Sequence, residues 1–518
     1  MIMMTTFQLM SDYGPYMTVL GLAVCVIISL CLVLWVGWTV HTYNVYKKYS
    51  HLPGPKVAHF YSGHAMSVAS ELRPGKLIFG DLLMQWFQEH GPVYVLFFFA
   101  NPMLIVCSPE GVKELIVSAK HPKDRGTYTG LQKLLGEPFM GTGLVSERDH
   151  STWAIRRAIV DPAFHRKYLK QSMAQFNKSS DLMIKRLLNK ADGVTKVTLL
   201  DELNKVTLDV IAKVSFSCEL DVMVDGLSPF TDAVRVTLEA LSSFSRAPWI
   251  KYSPLKAQRD KRKQVRDCCK LLRSFGEKCI RERLAAIQRG DEVPADTLSY
   301  IINATGQLTH EHYQVKNMVD DFVTFFVAGQ ETTANLLTSC FLELLRNQPE
   351  VVYRLKNEVE SVIGDKTEVA FEDLPKLEYM TAVLKETLRM FPPAGGTSRQ
   401  TAEEVYINGH RIPAETSAMI SIYTMGRMEE HYKDALQYDP DRFMHQDEHV
   451  LFSYLPFSLG PRMCIGKNFA MIEAKVLLCK LLMTFDFSLV PDQSFDMVTH
   501  GTLRPTDGCK VTLKPKSS

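Results

Sequence analysis

Hydrophobic and polar positions divide the chain into stretches of different character. From Tyr13 to Val40 no charged residue occurs, and "MTVLGLAVCVIISLCLVLWVGWTV" runs for 24 residues with no polar face. A helix that crosses a bilayer needs roughly 20 such residues. Trp35 and Trp38 stand near one end and Lys47 and Lys48 follow, whereas Asp12 is the only charged side chain before the run. Aromatic rings favour the interface, and lysines favour the cytosolic side. The pattern predicts a short lumenal segment 1–12, one transmembrane anchor over 13–40, and a cytosolic remainder. The run is too long for a cleaved signal peptide and lacks its basic start.

Beyond the anchor, "HLPGPK" at 51–56 closes a proline-marked linker, 41–56. "GPVYVLFFFANPMLIVCSP" predicts two strands around a turn at Asn101-Pro102. From about 109 to 395 the period is mainly helical; 399–425 returns to short strands with a turn at Asn408-Gly409. The chain ends in a long helix and a hairpin. The fold class is mainly α with a minor β part, in one domain over 57–518. One helix is expected from a cap at Thr309 to Pro349, about 55 Å long at 1.5 Å per residue. Its middle, "FFVAGQETTANLL", holds Gly329, which costs about 1 kcal/mol relative to Ala. Glu331, Thr332 and Thr333 put polar groups into an apolar stretch, where they need partners or a purpose.

Composition narrows the classes. The 518 residues are 46% hydrophobic and 22% charged, which fits a globular chain. A net charge of only +2, with no long basic run, excludes nucleic acid as a partner. The 11 cysteines lack regular spacing, which argues against a disulfide scaffold and for a reducing compartment. No Gly-rich dinucleotide fingerprint occurs, so no reductase is fused to the chain.

The chemistry centres on "FSLGPRMCIG", residues 457–466. A zinc site would need three more ligands, and no CxxC or His-Cys cluster lies near Cys464. A nucleophilic cysteine would want a histidine base, which the local sequence lacks. The loop alone remains equally compatible with a plain buried cysteine. A haem-thiolate ligand accounts for its neighbours: the following helix N-terminus would stabilise the sulfur's charge. Gly460 and Gly466 would let backbone approach sulfur and haem, Arg462 would bind a propionate, and Phe457 would shield the sulfur.

The segment resembles the haem-binding signature F-x-x-G-x-R-x-C-x-G of cytochrome P450 monooxygenases, with every fixed position filled. "KETLR" (Glu386, Arg389) resembles the family's E-x-x-R, and "DPDRF" supplies Arg442 as the arginine that completes that ion network. "AGQETT", Ala328 to Thr333, resembles the oxygen-activating centre of the long helix. "WAIRR" (Trp153, Arg157) and Arg399 match propionate contacts. The resemblance implies a triangular α-rich haem domain with small sheets. It implies haem b with Cys464 as axial metal ligand, and Ala328, Gly329, Phe457 and Gly466 around the haem. Glu331 and Thr332 would be the acid–alcohol pair, Thr332 ordering a water and Glu331 linking it to solvent. It further implies the endoplasmic reticulum membrane, with electrons from NADPH through NADPH–cytochrome P450 reductase. Arg156, Arg166, Lys167 and Lys467 are candidates for the basic docking surface. A haem-thiolate isomerase is disfavoured because Glu331 and Thr332 are both kept; a haem protein that carries or senses a small ligand without catalysis is the third reading, and NADPH consumption with reductase and substrate separates all three.

Substrate signals are weaker. "VPADTLSYI" and "TMGRM" lie outside the general signatures and resemble the sterol side-chain hydroxylases of this family. A fatty acid, a steroid or a xenobiotic is the alternative. Leu131, Leu134, Leu135, Phe139 and Met140, with Ala328, are the pocket candidates. "FSRAPWIKYSP", 244–254, carries Trp249, Ile250 and Tyr252 beside basic residues and is expected to touch the membrane.

Overall fold

The computed structural model describes residues 2–72, 77–220, 222–223, 228–246, 248–306, 315–444 and 451–516. The apolar N-terminal run forms α1 (Ile2–Tyr49), and its part from Leu20 onward is long and apolar enough to cross a membrane. From Leu20 to Val40 the side chains stand outside the core: Leu34 is 71% exposed. The helix does not stop at Val40. Residues 41–49, expected in the linker, are its last turns, and residues 2–12 are helical too. Tyr49 is buried, and its hydroxyl lies 2.8 Å from the Thr416 hydroxyl, which pins the end of the anchor to the domain.

The helical body is built from α2 (His150–Val160), α3 (Leu199–Phe216), α4 (Pro229–Arg246), α5 (Lys256–Arg289), α6 (Val315–Asn347), α7 (Glu378–Met390) and α8 (Lys467–Thr484). Asp149 caps α2 by accepting the Thr152 N–H at 2.7 Å; the Ser151 hydroxyl, which donates to it at 2.6 Å, and then the Thr152 N–H hold its carboxyl down at about 2. The expected cap of α6, Thr309, lies outside the described residues. Pro349 does not close that helix but opens the next one, Pro349–Val362, a position where proline loses no hydrogen bond. The 33 residues of α6 span about 50 Å and pack along α3. Gly329 explains how closely: a Cβ there would lie 2.8 Å from Ile211 Cγ1 of α3. The glycine's intrinsic cost is thus offset by helix packing, and the chain stays α-helical through 328–333.

Two strands follow the first proline-rich stretch, β1 (Val93–Phe98) and β2 (Asn101–Val106). Their turn is Phe99-Ala100, with Phe99 at φ 57°, so Asn101 and Pro102 already belong to β2. β3 (Gly396–Gln400), β4 (Val405–Ile407), β5 (His410–Ile412) and β6 (Ser417–Ser421) complete this region. The main sheet has the order β1-β2-β6-β3, with β2 and β6 parallel. Asn408 and Gly409, both at positive φ, form the β4–β5 turn. β7 (Met497–His500) and β8 (Thr502–Pro505) make a C-terminal hairpin. One apolar core joins the helices and a smaller one lies under the main sheet.

Candidate active site

The loop before α8 is wound tightly. Ser458 and Gly460 have positive φ, the Met463 N–H donates to the Gly460 carbonyl at 3.0 Å, and the Cys464 N–H donates to the Phe457 carbonyl at 2.9 Å. Gly460 is required by its neighbours rather than by the sulfur, since a Cβ there would lie 2.6 Å from the Ile116 carbonyl oxygen. Gly466 is the glycine next to the thiol: a Cβ there would sit 3.9 Å from Cys464 Sγ. Cys464 is exposed to a cavity yet enclosed by protein on its other sides, and this burial raises its pKa. The Gly466 N–H, Arg157, Lys467 and Lys123 pull the other way.

The cavity has a volume of about 2190 Å³. The thiol loop, with Phe457, Arg462 and Gly466, forms one wall; Ala328, Gly329 and Thr332 of α6 line it too. Four cations gather at one edge. Arg157 donates to the Met463 carbonyl at 2.9 Å and pairs with Asp161 at 3.1 Å. Arg462 donates to the Glu147 carbonyl at 2.7 Å, and its guanidinium lies 4.0 Å from the centre of the Trp153 ring. Arg399 is buried and bonds the Ser398 carbonyl at 2.9 Å; with Arg462 it borders an adjoining cavity of about 60 Å³. The fourth, Lys123, was not legible as a site residue. It is buried, donates to the Val145 carbonyl, and sits over the Tyr128 ring at 4.4 Å. Burial, then Arg399 and Arg462, push its pKa well down. Its only signal is spatial, a β-bridge to Arg399.

Among the described residues, Lys123, Arg399 and Arg462 have no carboxylate within ion-pair distance. Buried like charges without anions are expensive. Two haem propionates would supply anions for the two arginines, with Lys123, whose charge burial disfavours, as a further donor, so these residues fit that cofactor.

On α6, the Thr332 hydroxyl donates to the Ala328 carbonyl at 2.7 Å, one turn back, and both residues face the cavity. Glu331 does not line the cavity. It is buried and accepts the Thr502 hydroxyl of β8 at 2.8 Å, while its other oxygen has no hydrogen bond. Burial pushes this carboxyl up to about 7, against the Thr502 bond and Arg504. Thr333 lines the cavity as well, beside the fully buried Glu473 of α8, a second carboxyl the sequence did not single out.

Behind the loop, Glu386 and Arg389 form a bidentate pair, both contacts 2.7 Å, with no exposure of either side chain. Arg442 reaches the same carboxylate at 3.2 Å, and the Asp439 N–H donates to it at 2.7 Å. The spare Arg389 donors meet the Ala435 and Gln437 carbonyls, so the α7 pair fixes the backbone that leads to the thiol loop.

Some expected positions differ. Leu131, Leu134 and Leu135 line the cavity, but Phe139 and Met140 pack into the core. The cause is local: Asp320 accepts the Thr142 N–H and Asp321 the Leu144 N–H, each at 2.8 Å, and Arg273 donates to the Phe139 carbonyl. The segment is drawn onto α6, and its aromatic ring goes inward. Arg156 is not on a docking surface; it is buried and pairs with Asp321 at 2.8 Å. Arg166, Lys167 and Lys467 are exposed. In 244–254, Phe244 is buried, Tyr252 is 84% exposed, and the side chain of Trp249 lies outside the described residues.

Cys464 is the one thiol that reaches the large cavity, and three of the four cations beside it, Lys123, Arg399 and Arg462, lack an anion among the described residues. The class this defines is the haem-thiolate proteins. Residues 52–513 match the family described as Cytochrome P450. Cytochrome P450 4d2 of Drosophila melanogaster is 28% identical over 489 residues, covering 90% of this chain and 94% of the relative. Cytochrome P450 3A11 of Mus musculus is 25% identical over 513 residues, 96% and 98% of the two chains. Carotene epsilon-monooxygenase of Arabidopsis thaliana is 28% identical over 449 residues, 84% and 81%. The chain belongs to the cytochrome P450 family and is a haem-dependent monooxygenase.

Proposed function

We propose that the protein is a membrane-anchored monooxygenase that hydroxylates the side chain of a sterol, in the manner of cholesterol 24-hydroxylase, to which its helix and loop motifs are similar. The observation that carries the reading is the cavity. It joins Cys464 to apolar walls from Leu131, Leu134, Leu135, Phe325 and Leu503. Its lining also includes the short helix Ala65–Glu71, which follows the exposed Phe60 and Tyr61; Tyr61 meets Trp35 of α1. A lipophilic molecule would then enter beside the anchor, and the exposed Tyr252, also in the lining, would rest on the same bilayer. In this reading the apolar helix α1 is a single-pass anchor in the endoplasmic reticulum membrane, with the domain facing the cytosol; its length and apolar composition support a membrane anchor. Electrons come from NADPH through NADPH–cytochrome P450 reductase, docked near Arg166, Lys167 and Lys467.

When bound, the haem supplies oxygen activation and the attack on an unactivated C–H bond. The chain supplies the rest. Cys464 gives the thiolate ligand, with the Gly466 N–H directed at its sulfur. Lys123, Arg157, Arg399 and Arg462 hold the propionates. Thr332 turns its hydroxyl from the Ala328 carbonyl toward a water in the cavity and holds a proton there. Glu331, half protonated near neutral pH, replenishes protons from the β8 side.

A second reading, an amphiphile with an acidic head, is favoured by Lys251, Arg262 and Arg266 in the cavity lining. The test is the full-length protein in vesicles with reductase and NADPH, offered cholesterol or a long-chain fatty acid, with products identified by mass spectrometry. Cholesterol bearing one new side-chain hydroxyl supports the sterol reading. Hydroxylated fatty acid with cholesterol untouched replaces it with the second.

A further inference from the structure

Two cysteines with no part in the haem site face each other at the edge of the cavity's cover. Cys218 follows the C-terminus of α3, and Cys279 lies in the second half of α5. Their sulfurs are 3.0 Å apart, both are half-buried, and neither is in a disulfide. The sulfurs need to close by only about 1 Å to reach bonding distance. The remaining described thiols have no such partner.

We propose that Cys218 and Cys279 are a modification site: a dithiol that hydrogen peroxide oxidises to a reversible disulfide, tying down the cover of the cavity. What lies between them gives the bond its consequence. The 61-residue separation contains all of α4, the turn Pro248–Tyr252 and the first two thirds of α5. Those elements supply Leu241, Phe244, Tyr252, Arg262 and Arg266 to the cavity lining. The ends of the closed loop are already fixed. Arg283, one turn beyond Cys279, pairs with Asp296 at 2.7 Å and donates to the Phe216 carbonyl at 3.1 Å; the Phe216 ring lies 4.2 Å from that of Phe322 on α6. A covalent bond at this hinge therefore joins the cover to the helix pair that carries Ala328 and Thr332.

The chemistry balances with peroxide as a two-electron oxidant. The Cys279 sulfur attacks one peroxide oxygen, the O–O bond breaks, and a sulfenic acid and one water result. The Cys218 sulfur then displaces the second oxygen as water, forming the S–S bond; each thiol gives up its proton. Cys279 suits the attacking role, because the hydrogen bond from Cys218 and the neighbouring Lys278 favour its thiolate, while Cys218 is held protonated. Reduction by a dithiol reverses the step.

The experiment uses the full-length, haem-loaded protein in detergent, treated with a few equivalents of hydrogen peroxide, alkylated and digested. The expected product is a cross-linked pair of peptides carrying Cys218 and Cys279, absent after dithiothreitol and absent in Cys218→Ser. Oxidised protein should also take up a lipophilic inhibitor several-fold more slowly, judged by its optical shift, and Cys218→Ser treated in the same way should not. If both cysteines remain alkylated, or oxidise only to separate sulfinic acids, the dithiol site is overturned. If the cross-link forms but uptake is unchanged, the proposed effect on the cover is overturned.

Discussion

The wall beneath the thiol and the cover across the cavity are built on opposite principles. Beneath the thiol, charges are buried, paired and redundant: Glu386 has two arginines and a backbone N–H, and Arg389 also serves the Ala435 and Gln437 carbonyls. Across the cavity, the turn between α4 and α5 leaves Tyr252 84% exposed, and the cations of early α5 form no ion pairs among the described residues. Geometry that must not vary is fixed by groups that cannot be separated without leaving a buried charge. Geometry that must admit a substrate is left to apolar contact and hinge positions. The signature motifs of the family sit in the first region, and the exposed part of the cavity lining in the second.

The comparison breaks first at Glu386. Glu386→Ala leaves two arginines without their anion, at about 3–5 kcal/mol, much of an ordinary stability margin. Expression should give little haem-loaded protein, read as absorbance per unit protein. By contrast Tyr252→Ser, in the cover, should load haem normally. Next in size is Arg399→Leu, with Lys123→Leu beside it. Each removes a charge-assisted contact worth about 1.5–3 kcal/mol. Haem transfer to an excess of apomyoglobin should accelerate at least roughly tenfold in either variant, and an unchanged rate would remove that residue from the propionate edge.

Glu331 sharpens the contrast through pH. Its pKa is raised from 4.5 to about 7 by burial, so the folded state holds a proton that the unfolded state releases. Its neutral form stabilises the fold fully below pH 4.5. That contribution falls as pH rises to about 7, by roughly 3 kcal/mol. Glu331→Gln should therefore gain stability relative to wild type across that window and run parallel above it, measured by denaturant unfolding. A difference that does not change with pH would place the carboxyl in water. The smallest effect on binding and the clearest on outcome is expected at Thr332→Val, which keeps shape and removes the hydroxyl. Substrate affinity and NADPH consumption should hardly change, while product falls and hydrogen peroxide rises to match. Full coupling in that variant would assign proton delivery to another group, with Thr333 the nearest hydroxyl.

Legibility followed the same division. The places of Cys464 and Arg462 at the cavity wall, and the pairing of Glu386 with Arg389, could be read because the motifs that mark them lie within ten residues of chain. The helical period put Ala328 and Thr332 on one face, and the structure agrees. It could not say where Glu331 points, because its partner Thr502 is 171 positions away. Lys123 was silent for the same reason: a lysine in "HPKDRG" looks like a solvated loop residue until the chain returns with Arg399. Phe139 and Met140 read as pocket because they are large and apolar. Their place in the core was decided by Asp320 and Asp321, polar residues that pull the backbone over and turn the side chains inward.

The central claim is that Cys464 is the one protein ligand of the haem iron. The most direct measurement is the optical spectrum of the reduced, carbon monoxide-bound protein, for wild type and Cys464→His. Wild type should show the strongly red-shifted band of a thiolate-ligated haem, and the histidine variant the shorter-wavelength band of an imidazole-ligated one. A red-shifted band that survives loss of the Cys464 sulfur would contradict the account.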